Sequence, residues 1–135
     1  MSVSTQLELG FDELRPPLEP GEALVEADRC LECGGPHAPA PCAVACPAGV
    51  DVAHFVTQIA DGDPAAAAAT ILADNILGGT CARVCPVEVL CEGACVLVHE
   101  GRRPVSIAAL QRFATDVAHA EELEPRAAPA RPQPH

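Results

Sequence analysis

Aromatic side chains are almost missing from this 135-residue chain, which has three Phe, no Tyr and no Trp. Basic residues are scarce as well: 8 Lys plus Arg stand against 19 Asp plus Glu, for a formal charge of −11 at pH 7. Together these shortages exclude nucleic acid as a partner, because phosphate binding needs a basic stripe and base stacking needs aromatic faces. No apolar run reaches membrane length. The longest, Ala65 to Ala73, is about half of the ~20 residues a span requires, so no membrane insertion is expected. The opening MSVSTQLELG lacks a basic segment followed by an apolar one, the mark of a signal peptide. The expectation is one soluble, acidic, cytoplasmic domain with tails.

What the chain has in excess is cysteine, eight in all. In a reducing compartment a cysteine-dense chain points to metal binding rather than to disulfides. With 14 Pro and few aromatics, the core must be built from Ala, Val, Leu and Ile. So thin a core gains from an internal cross-link, and metal would supply one.

The pattern along the chain reads as all-α, a small helical domain with cysteine-rich loops. Residues 1–20, with Pro16, Pro17 and Pro20, read as an extended arm that orders on a partner. Residues 21–120 form the domain, and 121–135 a Pro- and Ala-rich disordered tail. Within the domain, Gly21 to Leu31 suits a short helix with Ala23, Leu24, Ala27 and Leu31 on one face. GGPHAPAP (34–41) is loop. Asp51 caps a helix whose stripe is Val52, Phe55, Val56 and Ile59. Asp63 and Pro64 start the next one, AAAAATILA, after which NILGGT returns to loop. Pro104 to Leu123 reads as the longest helix, capped by Ser106, with Ile107, Leu110, Phe113, Ala114 and Val117 as its apolar face.

The cysteines fall into two groups of four. The first is Cys30-x2-Cys33-x8-Cys42-x3-Cys46-Pro47 and the second Cys81-x3-Cys85-Pro86-x4-Cys91-x3-Cys95, with CAVACP (42–47) echoed by CARVCP (81–86). A Cys-x2-Cys knuckle converges two thiolates on one centre, and eight thiols match two [4Fe–4S] clusters at four ligands each. Two Cys₄ zinc sites would use the same eight thiols, but zinc ribbons pair two Cys-x2-Cys knuckles and this chain has one. Small residues around the cysteines (Ala43, Ala45, Ala48, Gly49, Gly93, Ala94) let backbone approach inorganic sulfide. Amide N–H groups aimed at sulfur raise a cluster's potential, while burial and negative charge lower it.

The segments RCLEC (29–33), PCAVACPAGVDVAHFV (41–56), DNILGGTCARVCP (74–86), LCEGAC (90–95) and PVSIAALQRFATD (104–116) closely resemble one iron–sulfur domain. It is the N-terminal α-helical domain of dihydropyrimidine dehydrogenase and of the glutamate synthase small subunit. The resemblance runs from about Gly21 to Val117. It implies two [4Fe–4S] clusters that carry electrons between an FAD/NAD(P)H module and a distant redox site. By position it implies Cys30, Cys33, Cys42 and Cys95 for the first cluster, and Cys46, Cys85, Cys91 and Gln111 for the second. Cys81 would then be a buried non-ligand, with Cys81 in place of Gln111 as the alternative. A neutral amide replacing a thiolate makes that cluster one unit less negative and favours its reduced state.

Two departures from the family pattern stand out. The loop GGPHAPAP is longer than the usual spacing and carries His37, read as an exposed loop histidine. No GxGxxG dinucleotide fingerprint occurs anywhere. No nucleophile–base pair is visible, so no catalytic residue is assigned. The expectation is a stand-alone electron-transfer subunit, with FAD and NAD(P)H only on a partner flavoprotein oxidoreductase chain and a further redox subunit beyond. The alternative is a structural or sensory iron–sulfur, or zinc, subunit of a larger assembly. The acidic surface suits docking to basic patches. Arg102 and Arg103, the main positive spot of the domain, are read as facing water.

Overall fold

The computed structural model describes residue 13 and residues 15–122. The remainder of the expected arm and residues 123–135 of the expected tail, Leu123 among them, lie outside the described residues. Among those described, the structure is helical and has no strand: α1 (Pro20–Ala27), α2 (Pro41–Val44), α3 (Val52–Ala60), α4 (Pro64–Asp74), α5 (Gly78–Val84), a 3₁₀ turn (Val87–Val89), α6 (Val96–His99) and α7 (Ile107–Ala120). No single helix among the described residues is long and apolar enough to cross a membrane.

The core is a sandwich of α1, α3, α4, α5 and α7. Helix α7 packs on α4 and α5, α3 packs on α4, and α1 packs on α3. Asp51 starts α3 by accepting the His54 N–H at 3.3 Å, and the expected stripe of Val52, Phe55, Val56 and Ile59 is buried. Asp63 starts α4 by accepting the Ala66 N–H at 2.9 Å, with Pro64 in the first turn. Ala67 and Ala68, having no side chain beyond Cβ, let α4 come close to its neighbours while Ile71 fills the centre. Each fully buried Phe, Ile or Leu contributes about 1.5–3 kcal/mol to holding these layers together.

Three expectations need correction. Helix α1 stops at Ala27, before the cysteine knuckle, and Leu24 and Leu31 are 44% and 55% exposed, so the inward face is Ala23, Glu26 and Ala27. Part of NILGGT is helical, because α5 begins at Gly78. Glycine is required there, since a Cβ would lie 2.4 Å from Ile71 Cγ2. Finally, Ser106 stands at the start of α7 without capping it through its side chain. Carboxylates distant in sequence do so instead: Glu26 accepts the Ser106 N–H at 2.8 Å and Glu92 accepts the Ala108 N–H at 3.0 Å. Negative charge at a helix N-terminus meets both the unpaired amides and the helix dipole.

Glu26 anchors the end of the fold that carries the first cysteines. Its carboxylate binds Arg29 at 2.7 Å and Arg103 at 2.8 Å, while Arg29 also donates to the Pro104 carbonyl at 3.0 Å. Burial alone would raise its pKa; the Arg103 and Ser106 hydrogen bonds and the nearby arginine charges prevail and hold it at about 2. Arg103 is therefore exposed yet ion-paired, and Arg102 pairs loosely with Glu100 at 3.5 Å. Glu13 and the Arg15 carbonyl lie on Arg112 of α7, and Leu18 packs against the core.

Candidate functional site

Two cavities hold all eight cysteines. The first is lined by Cys30, Cys33, Cys42 and Cys95, with Val52, Val56, Leu97, Val105 and Ile107 behind them. The second is lined by Cys46, Cys81, Cys85 and Cys91, together with Asn75 and Gln111. Counting their open mouths, they contain about 400 and 540 Å³ of unfilled space.

Local structure explains how a linear pattern divides this way. The Cys-x2-Cys knuckle turns tightly because Glu32 and Gly34 adopt left-handed backbone, φ 52° and 107°. A non-glycine residue in that region is held there by its surroundings at some cost. Cys42 sits in α2 and Cys46 just beyond it, one helical turn away, so this pair sends one thiol to each cavity. Cys91 and Cys95 repeat the device from the other half of the chain. Residues i and i+4 of a helical turn are about 5–6 Å apart along the axis, which keeps the cavities adjacent. Gly93 makes the second turn possible: its N–H bonds the Val87 carbonyl at 3.0 Å, and a Cβ there would lie 2.2 Å from the Glu88 carbonyl oxygen.

Burial dominates the electrostatics of these thiols. Burial raises the Cys42 thiol to about 11, with the nearby Cys30 adding to the effect. Burial raises Cys91 to about 12, reinforced by the Glu92 charge. Cys30 is raised by burial and then by Cys33 and Cys95, and Cys85 by burial and then by Cys81. Gathering thiolates in such buried places requires positive charge among them.

Each expected ligand can now be placed. Cys30, Cys33, Cys42 and Cys95 line one cavity, and Cys46, Cys85, Cys91 and Gln111 line the other. Gln111 is half-buried on α7, and its Nε2 donates to the Gly78 carbonyl at 2.7 Å. Cys81 lines the same cavity. His37 is exposed on its loop and lies outside both cavities. Sequence reasoning missed Asn75, whose Nδ2 donates to Cys81 Sγ at 3.2 Å. The only available signal was an amide residue just before the glycine pair.

The donor set fits an iron–sulfur cluster better than a single ion. Zinc draws four thiolates to about 2.3 Å from one point. Among the described residues no three His, Cys, Asp or Glu side chains are grouped to hold one ion. Instead the thiols line two apolar cups.

Comparison with known proteins agrees. Residues 7–123 match the family described as dihydropyrimidine dehydrogenase domain II, 4Fe-4S cluster. The NAD-dependent dihydropyrimidine dehydrogenase subunit PreT of Salmonella typhimurium is 46% identical over 107 residues, covering 78% of this chain and 24% of that protein. PreT of Escherichia coli K12 is 43% identical over 106 residues, again 78% of this chain and 24% of its own. The glutamate synthase [NADPH] small chain of Halomonas elongata is 34% identical over 115 residues, 85% of this chain and 23% of its own. The chain thus spans about a quarter of the length of these curated relatives. It belongs to the dihydropyrimidine dehydrogenase domain II family of 4Fe-4S electron-transfer domains.

Proposed function

We propose that this chain is an electron-transfer subunit holding two [4Fe–4S] clusters. It relays electrons between a flavoprotein NAD(P)H oxidoreductase partner and a further redox centre. The observation that carries this reading is the sorting of the cysteines into two adjacent cups, each drawing thiols from both halves of the chain. A bound [4Fe–4S] cluster supplies a one-electron carrier. The chain's own part is to provide thiolates, exclude water and fix the spacing between the cups.

In our assignment Cys30, Cys33, Cys42 and Cys95 hold the first cluster, and Cys46, Cys85, Cys91 and Gln111 the second. The Gly78 carbonyl engages the Gln111 amide nitrogen, which leaves the amide oxygen as the atom available for iron. We assign nicotinamide and flavin chemistry to residues other than these 135, which carry no glycine-rich dinucleotide turn. The chain's formal charge of −11 favours encounter with basic partner surfaces.

The test is anaerobic EPR of the reduced protein. Gln111→Ala is expected to alter one cluster's signal, whereas Cys81→Ser keeps both. The reverse result would make Cys81 the ligand. Reduction by NAD(P)H is expected only when the flavoprotein is added; clusters that resist reduction under those conditions would favour a structural role.

A further inference from the structure

Positive charge is scarce in this chain, yet four of its eight basic residues line one open groove: Arg15, Arg83, Arg103 and Arg112. Counted with its mouth, the groove contains about 1410 Å³ of unfilled space. Its walls come from Pro16 and Pro17, from α5 and from α7. Ala82, Cys85, Val87 and Ala108 line both this groove and the second cup, so the two share a wall at Cys85. The open groove that meets the first cup at Cys33 has His37 and Asp51 but no arginine. Arg83 bonds Asp116 at 2.8 Å and Arg103 bonds Glu26 at 2.8 Å, yet these arginine side chains are 40% and 59% exposed and keep N–H groups for a further acceptor. Two carboxylates also line the groove. Glu92 is engaged by the Ala108 N–H at 3.0 Å, whereas Glu13 is exposed and held by Arg112 at 2.7 Å. Arg112 donates as well to the Arg15 carbonyl at 3.1 Å, so one guanidinium grips both a carboxylate and the main chain two residues on.

We propose that this groove is the docking site for a carboxylate-rich segment of the redox partner that exchanges electrons with the second cluster. This rests on the two-cluster relay of the preceding subsection. Glu13 stands where the partner's carboxylates bind, and it gives way to them. Exposed ion pairs contribute little to stability, so one carboxylate can replace another there. Arginine binds carboxylates through paired N–H groups, which fixes orientation as well as charge. At a chain charge of −11 most of the surface repels an acidic protein, and the arginines steer such a partner to the groove. Docked there, the partner lies against the wall that carries Cys85. The two ends of the relay thus select partners of different charge.

The test follows oxidation of the loaded, reduced chain by the Co(III)–EDTA anion at low ionic strength, with iron counted in every sample. Each reduced cluster gives one electron to Co(III), leaving Co(II)–EDTA, and no bond to the protein forms or breaks. The double variant Arg15→Gln, Arg83→Gln is expected to keep its iron and to react about tenfold more slowly. Glu13→Gln should react about twofold faster, because it frees Arg112, a gain that damage to the fold would not produce. Arg102→Gln removes an equal charge outside the groove and should change nothing. Poly-L-glutamate should slow the native chain and lose that effect in the double variant, and high salt should erase every difference. Rates indifferent to the groove arginines, or an Arg102→Gln effect as large as theirs, would overturn the proposal and leave the relay standing. Poly-L-glutamate without effect would also overturn it, by limiting the groove to small anions. A chain with no reducible cluster would overturn the relay reading and this proposal with it.

Discussion

The two cysteine cups differ in what surrounds their sulfurs. The first is closed by branched apolar side chains, Val52, Val56, Val105 and Ile107, and its donors are thiols alone. The second is walled by Val50, Val87 and Leu90 together with Ala48, Ala82 and Ala108, and admits the two amides Asn75 and Gln111. On our ligand assignment, four thiolates in an apolar cup leave a bound cluster more negative than three thiolates and an amide. One fold thereby offers two environments, and the second should be the easier to reduce. A potential difference of that sign lets a short relay run downhill from the first site to the second.

That contrast can be broken most severely at Gly93, which sits between a thiol of each cup. The clash of a new Cβ would be with backbone, which cannot step aside. Gly93→Ala is expected to lose most of the iron from both cups, read as visible absorbance per chain. Retention of full absorbance would contradict the account of this turn. Single-ligand changes should cut more selectively. Cys95→Ser should remove the first signal and Cys91→Ser the second, each leaving about half the iron; loss of the same signal in both would refute the crossing-over of this pair.

A third change acts on the frame rather than the ligands. Glu26→Gln leaves Arg29 and Arg103 without their carboxylate, at a cost of about 2–4 kcal/mol by the usual scale for charged, partly buried partners. Thermal unfolding of the loaded protein should report it, with the first cluster released earlier than the second. The native carboxylate is held below the usual 4.5, at about 2. Its advantage over glutamine is thus complete above about pH 4.5 and disappears as the pH falls through about 2. The smallest effect is a slope. Burial pushes the Cys42 and Cys91 thiols up to about 11 and about 12, so ligation near neutrality must expel protons. Cluster loading should rise from pH 7 to pH 9, with protons released on loading; a falling yield would contradict the assignment of these thiols.

Features decided within a few residues were legible in the sequence. Asp51 and Asp63 start their helices as expected because a cap needs only the amides two or three positions ahead. The stripe from Val52 to Ile59 was readable for the same reason. Leu24 and Leu31 were misassigned because periodicity states which residues share a face, not whether another element covers it. The cap of α7 was hidden because Glu26 is 80 residues from Ser106. In the metal centre, spacing alone grouped Cys81, Cys85, Cys91 and Cys95 together. The expectation that Cys95 joins Cys30 came from the family resemblance, since nothing local indicates that a Cys-x3-Cys turn will point its thiols into different cavities. Asn75 escaped notice because the sulfur it donates to, that of Cys81, lies six residues on, in a helix that the glycines disguised.

The most direct test is a count of iron and acid-labile sulfide in protein purified without air. Roughly eight of each per chain are expected, four for each cup. About four of each would leave only one cup as a cluster site, and a colourless preparation holding two zinc ions and no sulfide would contradict the account altogether.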